Sequence, residues 1–357
     1  MSDQRVEKLA SILVKHSVAV KKGDTVLIGA STELAKPLVL AVYKEVMKAG
    51  GHPLTAIGFE ETGNLFYEHA SEAQIAQFPK IKMYEAKNVD CVINIRASAN
   101  KKSLSNVEPK LIAGRSKVLR PISEEIVNNK RWVICNFPTN GLAQEADMSL
   151  EEYESFVYGA TNVNWAAVEK KEMKLKKALD VANEARIIGK DTDLRIGIKG
   201  RKAIACFGER NMPDGEVFLS PLEDSAEGRI YYEMPAIYQG REVLGIRLEF
   251  KAGKVVFASA EKNEPFLITM LDTDKGARFL GELGIGCNYG IKRFTKDILF
   301  DEKIGGTVHL AVGRSYEEAG GKNVSAIHWD MIKDLREGGA LLLDGKAVQK
   351  NGRFLPF

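Results

Sequence analysis

The sequence predicts an α/β N-terminal domain with a mostly parallel sheet, followed by a β-rich α+β domain. Three observations predict it. Short apolar runs alternate with helix-period segments through the first half. A long charged segment then closes at Gly189. Beyond it, strand-like pieces recur at short intervals. The expected division is therefore 1–189 and 190–357, and a chain of 357 residues accommodates two domains.

The N-terminal segment is amphipathic, with Val6, Leu9, Ile12, Leu13 and Val20 near helical spacing and charges between them. Thr25 to Ala30 (TVLIGA) is a short apolar run, as a buried strand requires. Glu33 to Ala49 has helical periodicity and stops at Gly50-Gly51. Pro53 to Phe59 reads as a second strand, a helix is expected before Pro79, and Asp90 to Ile95 reads as a third strand. Arg131 to Phe137 (RWVICNF) is a fourth, closed by Pro138. Gly29-Ala30-Ser31 at the end of the first strand is not G-x-G-x-x-G, which argues against a dinucleotide fingerprint.

Ser149 and Glu152 form a capping box that opens a helix toward Tyr158. A charged helix is expected from about Val163 to Gly189. The strand-like pieces that follow are Leu194–Ile198, Ala203–Phe207, Gly215–Leu219, Gly228–Tyr232, Val243–Phe250 and Lys254–Ala260.

Composition excludes several function classes. The apolar content of 45% is that of a globular chain with a sizeable core. A net charge of +3 with no Lys/Arg block gives no electrostatic footprint for nucleic acid. No stretch approaches the ~20 apolar residues of a bilayer span, and the N-terminus has no signal-peptide core. The four cysteines, Cys91, Cys135, Cys206 and Cys287, form no C-x-x-C pair. Reduced thiols in a cytoplasmic protein are the expectation.

Two of the five histidines, His309 and His328, lie in a glycine-rich C-terminal region, and Asp330 follows the second. Imidazole is the commonest side-chain metal ligand, and carboxylates suit hard or borderline cations. In an extended His328-Trp329-Asp330 the two polar side chains share one side and Trp329 takes the other. Glu216 follows a Pro-Asp-Gly turn, and Glu282 lies in an otherwise apolar run, where a carboxylate must be paired, protonated or coordinated. Taken singly, each residue also reads as a strand-edge carboxylate or as a buried histidine bonded to a carbonyl.

Four motifs occur in order: GEVF-x-x-P from Gly215, LGELGIG from Leu280, H-L-A-V-G-x-x-Y from His309 and H-x-D from His328. Together they resemble the aminopeptidase T / aminopeptidase S family of metallopeptidases, the thermophilic aminopeptidases. The resemblance implies metal ligands at Glu216, Glu282, His309, His328 and Asp330, and a catalytic tyrosine at Tyr316. Glu282 stands open between ligand and general base. It also implies short peptide substrates, a homodimer, and an N-terminal domain that gates an internal cavity. The charges agree with two divalent ions: three carboxylates and one hydroxide balance two dications, whereas one metal would leave an excess of negative charge. Zinc, cobalt, manganese and magnesium all suit a donor set without thiolate. The rival readings are a dinuclear amidase or phosphoesterase, with Arg293 and Arg314 near the motifs, and a non-catalytic α/β binding protein.

Overall fold

A computed structural model describes residues 3–356. The chain divides into two compact units, residues 1–163 with 208–213, and residues 164–207 with 214–357.

The first unit is built on a parallel sheet. Strands β1 (Thr25–Ala30), β2 (His52–Ile57), β3 (Cys91–Arg96) and β4 (Arg131–Asn136) run in the order β2-β1-β3-β4, and a short Asn211–Met212 strand adds in parallel beyond β4. Val26, Ile28, Ile93, Ile95 and Val133 are buried along these strands. The expected helix after β1 starts with a 3-10 turn at Glu33–Ala35 and continues as Lys36–Lys48. Thr32 sets its start: its hydroxyl oxygen accepts from Leu34 N at 3.2 Å and its O–H donates to the Ala97 carbonyl at 2.6 Å. The Ser149–Glu152 capping box is present and opens Leu150–Thr161. The structure adds a helix at Pro109–Asn129, which carries Pro121 inside and buries no residue fully.

The second unit holds an eight-stranded and a five-stranded sheet, with all strand pairs antiparallel. The charged helix expected to reach Gly189 ends at Val181. Glu184–Gly189 is instead a strand that pairs with Thr192–Gly197. The β-branched content of EARIIG and a left-handed turn residue at Asp191 favour that hairpin over more helix. This helix packs on the strands Ile204–Cys206 and Glu216–Leu219. The contact division therefore falls at Val163–Asn164 rather than at Gly189. The expected strand Val243–Phe250 is broken at Gly245, whose φ of +63° suits glycine, into Arg241–Val243 and Ile246–Lys251.

In the five-stranded sheet the order is His328–Asp334, Thr307–Gly313, Leu280–Gly286, Glu216–Leu219 and Ile204–Cys206. One face supplies Val217, Leu219, Leu283, Ile285, Val308, Leu310, Val312, Trp329 and Met331 to the hydrophobic core. Trp329 is buried against Tyr238 and Phe266.

Candidate metal centre

The opposite face of that sheet carries the polar residues. Side chains alternate across a strand, so burying the odd-numbered residues of Glu216–Leu219 and Leu280–Gly286 turns Glu216 and Glu282 outward together. The ladder places Gly284 beside His309, Ala311 beside Asp330, and Gly313 beside His328. Five residues from four separate stretches of sequence thus meet on one side of four adjacent strands.

They form two groups with one shared member. Potential ligand atoms of Glu216, Glu282 and His309 lie within 4.8 Å of one another, and so do those of Glu282, His328 and Asp330. His309 Nε2 is 3.2 Å from Glu216 Oε2 and 3.3 Å from Glu282 Oε1. His328 Nε2 is 3.4 Å from Glu282 Oε2 and 3.6 Å from Asp330 Oδ2. Each oxygen of Glu282 therefore faces a different imidazole.

His328 is oriented from behind. Its Nδ1 lies 2.7 Å from the Arg314 carbonyl oxygen. A carbonyl only accepts, so Nδ1 carries a proton and donates, which leaves Nε2 directed at the carboxylates. His309 reaches its partners because residue 284 has no side chain: a Cβ there would come within 2.0 Å of Nε2.

The carboxylates set the electrostatics. Burial disfavours a charged His309, but its contacts with Glu216 and Glu282 prevail and raise its pKa well above the ordinary value. The same competition raises His328 to about 9, with Glu282 and Asp330 as the charges responsible. For Glu282 burial opposes ionisation, yet the two imidazoles hold its pKa below the usual range. Burial raises Asp330. The cluster thus favours positive charge between its carboxylates.

Tyr316 borders this centre. Its ring packs edge-on against His328, with centroids 5.0 Å apart, and against Phe218 at 5.7 Å. Its backbone N–H donates to Ser220 Oγ at 3.3 Å. Burial first, then the charges of Glu282 and Asp330, keep its phenol protonated.

Two neighbours were not singled out in the sequence. Lys303 is fully buried, with Nζ 3.5 Å from Glu216 Oε1, and it contacts Glu302 closely. Burial raises Glu302 to about 8 despite Lys303, and the charges of Glu216, Asp330 and His309 also act on it. In sequence, Asp301-Glu302-Lys303 resembles a solvated charge run. Its one distinguishing signal is the apolar ILF before it and Ile-Gly-Gly after it.

A family model described as thermophilic metalloprotease (M29) matches residues 2–354. The chain belongs to this family. Among its relatives, aminopeptidase AmpS of Bacillus subtilis is 27% identical, over 90% of this chain and 87% of its own length. Aminopeptidase T of Thermus thermophilus is 28% identical, over 88% of this chain and 86% of its own. The solved structure of wild-type AmpT from Thermus thermophilus shares the fold, with a TM-score of 0.85 at 23% identity and 99% of both chains covered. A 2,5-dihydroxypyridine dioxygenase from Pseudomonas putida also shares it, at a TM-score of 0.61 and 15% identity, covering 99% of this chain and 98% of that one. The fold alone therefore does not specify the chemistry, and the site must.

Membership of a metalloprotease family implies a divalent metal, and the residues fit one. Imidazole nitrogens and carboxylate oxygens are the donors such a cation takes. Asp330 Oδ1 is buried with no hydrogen-bond partner among the described residues, and Glu216 Oε2 faces only the His309 imidazole, as donors reserved for a cation would.

Proposed function

We propose that this metallo-aminopeptidase holds two divalent cations and removes N-terminal residues from short peptides. The observation that carries the reading is the pair of three-residue groups sharing Glu282. Glu216, Glu282 and His309 would hold one cation, and Glu282, His328 and Asp330 the other, with Glu282 as the bridge. Zinc, cobalt, manganese and magnesium remain the candidates. Bound there, the cations supply Lewis acidity to the scissile carbonyl and lower the pKa of a water toward ~7.

The chain's own residues supply the rest. Each oxygen of Glu282 faces a different group, so as a shared ligand it would leave proton transfer to another carboxylate. Glu302 contacts Lys303 beside the group and is acted on by Glu216, Asp330 and His309, which makes it the candidate carrier. It would take the proton from water and return it to the leaving nitrogen. Tyr316, kept protonated, would donate its O–H to the carbonyl oxygen as negative charge develops there. The second unit, which carries all of these residues, would be the catalytic domain. A homodimer is part of the proposal, and sedimentation as a monomer at micromolar concentration would remove that part.

Aminoacyl-p-nitroanilides, their Nα-acetylated forms and p-nitrophenyl phosphate, assayed before chelation, after it and after metal add-back, test the function. The expected result is metal-dependent cleavage of the free-amine substrates alone. Hydrolysis of the phosphate ester, or of acetylated and free substrates alike, would contradict it. Among the described residues no helix is long and apolar enough to cross a membrane.

A further inference from the structure

On the far side of Glu216 from His328 lies a second polar cluster that the proposed reaction does not use. Potential ligand atoms of Cys206, Asp214 and Glu216 lie within 4.8 Å of one another. The backbone holds them in place. Gly215 N–H donates to the Cys206 carbonyl at 2.9 Å, and Cys287 N–H donates to the Gly215 carbonyl at 2.7 Å. Asn288 Nδ2 donates to the Asp214 carbonyl at 2.8 Å. Gly215 itself has φ +118°, and a Cβ there would press on Asn288 at 2.7 Å, so the Asp214–Glu216 turn is tied to this geometry.

A further carboxyl lies on the helix Trp165–Val181, which packs on the strands of Cys206 and Glu216. Glu172 is 0% exposed, and neither of its carboxyl oxygens has a hydrogen-bond partner among the described residues. Asp214 and Glu216 are the two charges that act on it most strongly. A buried carboxyl without a partner costs stability, and a protein retains one where something satisfies it.

We propose that Cys206, Asp214 and Glu216, with Glu172 beside them, form a separate site for a divalent cation that accepts thiolate, such as zinc or cobalt. Three donors including one thiolate leave one tetrahedral position for water, whereas the two Glu282 groups contain no sulfur. The thiolate excludes calcium and magnesium, which take oxygen donors. Lys303, with Nζ 3.5 Å from Glu216 Oε1, is the one lysine or arginine among the charges acting on Cys206, and Glu216, Glu302 and Asp214 all act on it. Glu216 would then link this cation to the catalytic pair and hold that ligand rigid.

Cobalt loading of the full chain tests the site without reference to activity. The expected result is a near-ultraviolet thiolate-to-cobalt charge-transfer band, because imidazole and carboxylate sites produce none. Cys206→Ser should abolish the band while leaving the remaining cobalt bound, and Cys287→Ala should leave it intact. Glu172→Gln should weaken the cobalt affinity read from the band by about tenfold or more. His328→Ala, which removes a ligand of the Glu282 groups, should leave the band, so failure of the dinuclear reading is distinguishable from failure of this one. Absence of the band in the unsubstituted protein overturns the proposal even if Cys206→Ser fails to fold, and so does a band that survives Cys206→Ser.

Discussion

The imidazole of His309 lies over Gly284, in the space a side chain at position 284 would occupy. The two are cross-strand neighbours, so the absence of a Cβ on one strand lets the histidine of the next reach Glu216 and Glu282. Gly284→Ala should displace the ring without disturbing the core face of the strand. A misplacement of ~1 Å costs about 10²-fold in catalysis, and a loss of that order in kcat/KM is expected with unchanged circular dichroism. Wild-type activity in Gly284→Ala would show that His309 need not hold this position.

Tyr316 stacks on Phe218 and His328 through its ring, so Tyr316→Phe retains the packing and removes only the O–H. Loss of one such donor typically costs ~10²–10³ in kcat. Steady-state kinetics on an aminoacyl-p-nitroanilide should show a fall of that order in kcat with KM nearly unchanged. An unchanged kcat would remove the tyrosine from the reaction.

Proton transfer is assigned to Glu302 and ligation to Glu282, and the two substitutions separate these roles. Glu302→Gln should lower kcat strongly while leaving the metal content as it was. Glu282→Gln should lower both, because it belongs to each ligand group. Elemental analysis beside kinetics decides the matter. Full metal content with lost activity in Glu282→Gln would reverse the assignment.

Metal-free protein should lose stability as pH rises. Folded His328 holds its proton to about 9 against an ordinary 6.5, so the folded state binds more protons than the unfolded state between those values. Its contribution is complete below pH 6.5 and lost by about 9. Asp301, raised by burial from 3.8 to about 8, acts in the same direction up to that pH. The lowered pKa of Glu282 acts with the opposite sign, but only below 4.5. Thermal melts of chelated protein from pH 6.5 to 9 should therefore show a falling Tm. Saturating metal should raise the Tm and flatten the trend, since ligating imidazoles hold no proton to lose. A Tm that is flat or rises with pH in the chelated protein would contradict the electrostatics described.

Much of this centre is legible in the sequence, because strand alternation is local. His328 and Asp330 share a face with Trp329 opposite, as the two-residue period requires. The parallel sheet is legible for the same reason, since its strands are short apolar runs between turn residues. Other features depend on contacts far away in the chain. Lys303 resembles a surface lysine until the strand of Glu216 is placed beside it. Pro109–Asn129 has no fully buried residue, so it carries little of the apolar signal by which a helix is read. Glu184–Gly189 follows a charged helix without a proline or glycine before it, and only its pairing with Thr192–Gly197 makes it a strand.

The central claim is that Glu282 bridges two cations. Crystals grown with zinc and measured at the zinc absorption edge test it most directly. The account requires two anomalous peaks sharing Glu282, one also contacting Glu216 and His309, the other His328 and Asp330. A single peak among these five residues, or two peaks with Glu282 bound to neither, would contradict it.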